Sequence, residues 1–179
     1  MKLDADNLPT EVHVDRNIHN RISTTGYSEA ATTGYQLAIW DRAIPLLQRG
    51  GALSDLRSQQ SHRLQMISLL ETRSLQEFET LENAFAGRST FKADGPITHT
   101  GAPSMALHAN LSWITRIEIS EEWAAQADPW HISADLISCT KSIREQRPKF
   151  DQTSTWAIHS DIDLESELRK YRDYLKGSK

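Results

Sequence analysis

The stretch MALHANLSWITRIEIS, residues 105–120, decides the fold class. Met105, Leu107, Ala109, Leu111, Trp113, Ile117 and Ile119 fall on alternate positions, and His108, Asn110, Ser112, Arg116, Glu118 and Ser120 fall between them. Successive side chains of a strand point to opposite faces, so the alternation reads as a strand with one buried face. Ile114 is out of phase and the run exceeds the usual strand length, which predicts a bend or bulge near Thr115.

Upstream, the pattern turns helical. Ala31, Tyr35, Ala38, Ile39 and Leu46 share one helical face, and Ser28 with Glu29 suits a helix start. Pro45 is expected to end or kink this helix, because it lacks a backbone donor and crowds the preceding turn. Gly50 and Gly51 complete the break.

From Ala52 to Ala86, Leu53, Leu56, Leu64, Ile67, Leu70, Leu75, Phe78, Leu81 and Phe85 are spaced by threes and fours. One helix over that span would reach roughly 50 Å. It either pairs with another long helix or breaks near Thr72 to Ser74, where propensity drops. Gly87 stands where a C-terminal cap is expected.

Residues 88–104, RSTFKADGPITHTGAPS, read as a linker or loop. Residues 1–26 read as an extended arm with one short strand at Val12 to Val14. After the long strand, Ile132, Leu136 and Cys139 suit a short helix behind Asp128-Pro129, and Ser154 to His159 suits a short strand. A closing helix from about Asp163 to Lys176 carries Leu164, Leu168, Tyr171 and Leu175 on one face.

The expected fold is therefore α+β: an N-terminal helical hairpin or bundle with a long helix, then a small antiparallel sheet packed by helices. The segments are an arm at 1–26, a helical region at 27–87, a linker at 88–104 and an α+β lobe at 105–179.

Composition narrows the function classes. A chain of 179 residues with 38% hydrophobic and 25% charged residues can bury a substantial core. A net charge of -4 with acids and bases interleaved disfavours nucleic acid as the main partner. The basic cluster Lys141, Arg144, Arg147 and Lys149 reads as a solvated loop before it reads as a phosphate contact. The single cysteine, Cys139, excludes an internal disulfide and fits a reducing compartment. No apolar run approaches the ~20 residues of a membrane span and the acidic N-terminus is unlike a signal peptide, so no membrane partner and a cytoplasmic location are expected.

Few residues suggest chemistry. Ser160-Asp161-Ile162-Asp163-Leu164 is similar to the Asp-x-Asp pair with which polymerase-beta-type nucleotidyltransferases hold magnesium, and His159 stands next to it. The plainer reading is that Asp161 or Asp163 caps the last helix. His13, His19, His62, His99, His108, His131 and His159 show no metal-ligand spacing. There is no Gly-x-Ser-x-Gly and no phosphate loop, and Cys139 reads as a buried, inert thiol. Trp113 and Trp156 suit core filling. Trp123 and Trp130, in a polar stretch with Glu121, Glu122 and Asp128, suit a partner-binding surface with an acidic rim.

Five segments, RIEIS at 116–120, HISADLIS at 131–138 after Asp128-Pro129, TKSIREQRPK at 140–149, STWAIHS at 154–160 and DLESELRKYRDYL at 163–175, carry a family resemblance. Together, from about Ser112 to Leu175, they resemble an uncharacterised bacterial α/β domain family that includes predicted immunity proteins of polymorphic toxin systems. The resemblance implies non-catalytic neutralisation of a protein partner.

The resulting expectation is a non-enzymatic, cofactor-free, protein-binding protein of bacterial or phage origin, of immunity or inhibitor type. Its contact residues would be Glu121, Glu122, Trp123, Asp128 and Trp130. The alternatives are a structural or accessory subunit of a larger assembly, and a metal-dependent nucleotidyl or phosphoryl transferase using Asp161 and Asp163 with His159.

Overall fold

A computed structural model describes residues 1–52, 56, 62–148 and 154–177. Leu53 and Lys149, named above, lie outside the described residues. In chain order the elements are β1 (Lys2–Leu3), β2 (Pro9–Glu11), α1 (Ile18–Arg21), α2 (Tyr27–Gln48), α3 (His62–Leu70), α4 (Leu75–Phe85), β3 (Phe91–Asp94), β4 (Met105–Ala109), β5 (Ile114–Ile119), α5 (Glu121–Ala124), α6 (Pro129–Gln146) and α7 (Asp161–Gly177). The protein is α+β, with a long N-terminal helix and a small three-stranded antiparallel sheet. It divides into two compact units: Met1–Ser58 with Thr90–Arg147, and Gln59–Ser89 with Pro148–Lys179.

In the first unit the sheet order is β3-β4-β5. The expected single long strand is two strands, with Leu107 opposite Ile117 and Met105 opposite Ile119. Asn110 causes the reversal. Its side-chain oxygen accepts from the N–H groups of Ser112 (2.8 Å) and Trp113 (2.9 Å), and its own N–H donates to the carbonyl of Trp113. Such local bonds let asparagine build a turn from its own side chain. Leu111 and Trp113 kept the alternation running because both are half-buried in the turn. Irregular register falls at His108/Ala109 instead of near Thr115, and Ile114 is buried.

The stretch at 88–104 is more than a loop. Phe91–Asp94 forms β3, paired to β4 through Ala93 opposite Leu107. A β-carbon on Gly95 would meet Ser104 Oγ at 2.5 Å, so any larger residue there would have to push the Ser104 side chain aside. Ser104 is itself buried and donates to Asp135 of α6 at 2.7 Å.

Helix α6 packs on β3 and β4, and α2 packs on β5. Tyr35 and Ser28 of α2 bind the edge strand β5 directly: Ile114 N–H donates to the Tyr35 hydroxyl (3.0 Å) and Ile119 N–H donates to Ser28 Oγ (2.9 Å). An edge whose donors are taken by a helix is closed to another strand. The helix passes through Pro45 to Gln48 instead of ending there, one turn being enough to complete it. It then stops at Gly50, whose φ of 81° and N–H bond to Leu47, with Gly51 N–H on Leu46, form a Schellman cap.

The N-terminal segment is not an extended arm. β1 pairs antiparallel with β2, and the strand lies at Pro9–Glu11, not at Val12 to Val14. Asp4 Oδ1 accepts from the N–H groups of Asp6 and Leu8, both at 2.9 Å, which folds the turn and leaves Leu8 fully buried.

The second unit is built from α3, α4, a 3-10 turn at Thr155–Ile158 and α7. The described part of the long apolar repeat is two helices, broken at 71–74, because Ser74 caps α4 by accepting from Glu77 N–H and Thr72 bonds back to Leu69. Gly87 closes α4, with a φ of 70° and bonds from its own N–H to Ala84 and from Arg88 N–H to Asn83. Met66, Ile67 and Leu70 pack with Leu164, and Leu69 and Phe78 pack with Leu175, so α7 serves both helices.

Candidate functional site

Ser120 starts α5 by accepting from Trp123 N–H, which places Glu121 and Glu122 in the exposed first turn where the helix dipole favours acids. Ala124 is completely buried and draws Trp123 down with it, so the Trp123 indole lies half-buried against the main core. Asp128 then stands at the N-cap of α6 with Pro129 in the first helical turn, the position where a missing donor costs nothing.

Trp130 follows immediately, is 62% exposed, and lies against His131 with ring centroids 3.8 Å apart. Glu121, Glu122 and Asp128 are all exposed. Of the five expected contact residues, four are therefore exposed and Trp123 is half-buried against the core.

The turn that carries them is anchored from below. Burial raises the Tyr27 phenol above its ordinary pKa, so it stays protonated and donates to His19 Nδ1 at 2.7 Å. That fixes the proton on the other ring nitrogen, and His19 Nε2–H donates to the carbonyl of Ala127 at 3.1 Å. Neither His19 nor Tyr27 stands out in the sequence as part of this surface, because the link joins residues far apart in the chain.

The proposed metal set disperses. Thr155–Ile158 is a 3-10 turn, so the strand that would align His159 with Asp161 is absent, and Trp156 N–H bonds to Ser154 Oγ in its place. Asp161 and Asp163 are two residues apart on a helix and so project to different sides. Asp161 pairs with Arg63, which also donates to the carbonyls of Ala157 (2.8 Å) and His159 (2.6 Å). Among the described residues no three His, Cys, Asp or Glu side chains are grouped to hold a metal ion.

Asp163 braces the helix cap. Ser160 Oγ accepts from Asp163 N–H (3.2 Å) and donates to the Asp163 carboxylate (2.6 Å). Hydrogen bonds to the carboxylate from the Ser160 hydroxyl and then the Ser160 backbone hold the Asp163 pKa below its ordinary 3.8. A depressed carboxyl pKa contributes stability above the unfolded value and loses it as pH falls through the folded value. Ser160→Ala is therefore expected to lower Tm at neutral pH, and the gap from the wild type should narrow as a thermal-melt series descends below pH 3.8. A gap independent of pH would show that the carboxylate takes no part.

Two members of the basic cluster, Arg144 and Arg147, are structural as well. Arg144 pairs with Asp4 at 2.6 Å, and Arg147, only 7% exposed, donates to the carbonyls of Asp6 (2.9 Å) and Asn110 (2.7 Å). Burial lowers the Arg147 pKa, and among the described residues its Nε has no hydrogen-bond partner. Cys139 is buried, and desolvation with Asp135 and Asp94 nearby pushes its thiol up to about 11, far from a reactive thiolate. A cleft of about 230 Å³ between Leu70, Trp156, Tyr171 and Tyr174 is smaller than usual ligand pockets, and its polar lining is the Glu167–Lys170 pair.

No family model, curated protein or solved structure matches the chain. No helix among the described residues is long and apolar enough to cross a membrane. One surface escaped the sequence reading: Leu37, Trp40, Ile44 and Leu47 of α2 are all exposed. Their spacing of three, four and three is that of a helical stripe, opposite the face of α2 that supplies the core.

Proposed function

We propose that the chain is a non-enzymatic protein-binding protein of bacterial or phage origin, of immunity or inhibitor type. It engages a partner with a basic surface through Trp130, with the exposed acids Glu121, Glu122 and Asp128 of the same stretch contributing charge. The observation that carries this reading is the placement of Trp130. Trp113, Trp123 and Trp156 pack against core clusters, whereas Trp130 at the head of α6 is 62% exposed. A large indole with a rigid helical mount buries much area at little entropy cost, which is why tryptophan is frequent among interface anchors.

Acids around such an anchor steer a basic partner and set its orientation more than they add affinity. Neutralisation in this scheme needs no chemistry. Occupying the partner's working surface is enough, as the resemblance of residues 112–175 to predicted immunity proteins implies.

The test is affinity capture with wild-type protein and Trp130→Ala in parallel, followed by titration of the captured partner. Trp130→Ala should leave Tm unchanged and weaken binding by about 2 kcal/mol or more, near thirtyfold. Glu121→Gln with Glu122→Gln should mainly slow association and flatten its salt dependence. A partner that binds Trp130→Ala as tightly as wild type sinks this reading.

A further inference from the structure

Helix α2 is apolar on two opposite sides. Tyr27, Tyr35, Ala38 and Ala43 are buried in the first unit. Away from them, Leu37, Trp40, Ile44 and Leu47 are exposed by 58%, 51%, 48% and 41%. Exposed Ala30 and Thr33 extend this stripe toward the start of the helix. Its members alternate in steps of three and four from 30 to 47, the seam geometry of one helix laid along another. A contiguous apolar stripe exposed on a helix ordinarily marks an interaction surface.

We propose that this stripe is a self-association surface, on which α2 pairs antiparallel with α2 of a second copy about a two-fold axis between Leu37 and Trp40. The grading of side-chain size selects a second copy in that orientation. The stripe is small at its start, with Ala30 and Thr33, and large at its end, with Ile44 and Leu47. Antiparallel pairing sets Ala30 against Leu47 of the second copy, Thr33 against Ile44, and Leu37 against Trp40, so small meets large in the end layers. Parallel pairing would stack Trp40 on Trp40 and oppose two alanines, overfilling one layer and leaving a hole in another.

The area agrees with a reversible dimer. With roughly 200 Å² for each of the four large side chains, their exposed fractions amount to about 400 Å² per copy and about 800 Å² for the pair. Ala30, Thr33 and the helix flanks bring the total to the lower end of specific interfaces, about 1,200 Å², where association is weak but selective. The seam itself carries no charge, and Glu29 and Asp41 lie only on its flanks. This surface belongs to α2 and shares no residue with the Trp130 surface of α6, so either can fail without the other.

Sedimentation equilibrium of the full chain from about 1 to 300 μM tests the proposal, with the weight-average mass expected to rise from monomer to dimer at a micromolar Kd. Ile44→Glu should weaken dimerisation at least tenfold. Adding Thr33→Lys to Ile44→Glu should recover at least threefold of that loss at low salt, because each lysine then faces a glutamate of the second copy; within one chain the two positions are three turns apart. Both sites are exposed, so folding should persist. Leu37→Glu is the substitute if circular dichroism shows that Ile44→Glu does not fold. A wild-type chain that stays monomeric at 300 μM overturns self-association, whether the stripe is bare or covered by something else, and a double variant no better than Ile44→Glu overturns the antiparallel register.

Discussion

Replacing Asn7 by glycine is expected to destabilise the first unit by about 2–4 kcal/mol, and by alanine about 1 kcal/mol more. Asn7 is completely buried, and its amide donates to the carbonyls of Leu56 (2.6 Å) and Ser112 (3.1 Å). Its side-chain oxygen accepts from Arg42 (2.7 Å), and its backbone carbonyl accepts from the Tyr35 hydroxyl (3.0 Å). Removing the side chain leaves the buried Leu56 carbonyl and the part-buried Ser112 carbonyl without this donor, and leaves Arg42 only its bond to the Asp4 carbonyl. Asn7 also has a φ of 58°, the left-handed region that asparagine and glycine enter most readily.

Glycine keeps that backbone and loses the bonds, while alanine loses both, so the pair of variants separates the two contributions. Chemical denaturation measures the totals. Hydrogen exchange at the Ile114 amide reads the network locally, because that amide donates to the same Tyr35 hydroxyl. Burial pushes the Tyr35 pKa up to about 12, so the hydroxyl keeps its proton and its bond to Asn7 at any ordinary pH. If Asn7→Gly costs less than about 1 kcal/mol, the turn is held by something other than this side chain.

The same residue shows where sequence reading stopped. Asn7 sits in a short polar run, and nothing local marks it as buried. Its partners Tyr35 and Arg42 of α2, Leu56 and Ser112 come from three distant segments, and only the tertiary fold brings them together. The helices, by contrast, were legible because their signals are local: the glycine caps at Gly50 and Gly87, Pro129 in the first turn of α6, and the apolar face of α7 all appear within a few residues.

The hairpin was half legible. Alternation identified the two strands of MALHANLSWITRIEIS but not the reversal between them, because half-buried Leu111 and Trp113 continued the period through an asparagine-built turn. β3 was missed for a related reason, as four residues with one buried side chain, Ala93, carry too little periodicity to read. At the candidate site, sequence separated polar surroundings from apolar ones but not inward tryptophan from outward. Trp123 and Trp130 share the same stretch, yet Trp123 packs against the core and Trp130 is exposed.

Truncating Phe78 to alanine should cost about 3–5 kcal/mol, the largest single loss expected in the second unit. Its ring is 1% exposed, clusters with Leu69 and Leu175, and lies 6.4 Å from the Tyr171 ring at 58°. On another side the Arg172 guanidinium sits 5.4 Å from its centroid while pairing with Glu82, so the aromatic also orders an ion pair. The Tyr171 hydroxyl donates to the carbonyl of Thr72, which ties α7 to the break between α3 and α4.

Three ties of α7 thus meet at one side chain, and Phe78 is the buried aromatic ring of these two clusters among the described residues. Small cores lose a greater fraction of their stability to one cavity. Hydrogen exchange along α7 should therefore accelerate by two orders of magnitude or more in Phe78→Ala, about 3 kcal/mol at 1.4 kcal/mol per tenfold. Ile162→Ala, on the same unit but 81% exposed, should change it within about 0.5 kcal/mol. Equal effects from the two variants would mean that α7 is not held by Phe78, and that the packing of α4 against α7 needs a different anchor.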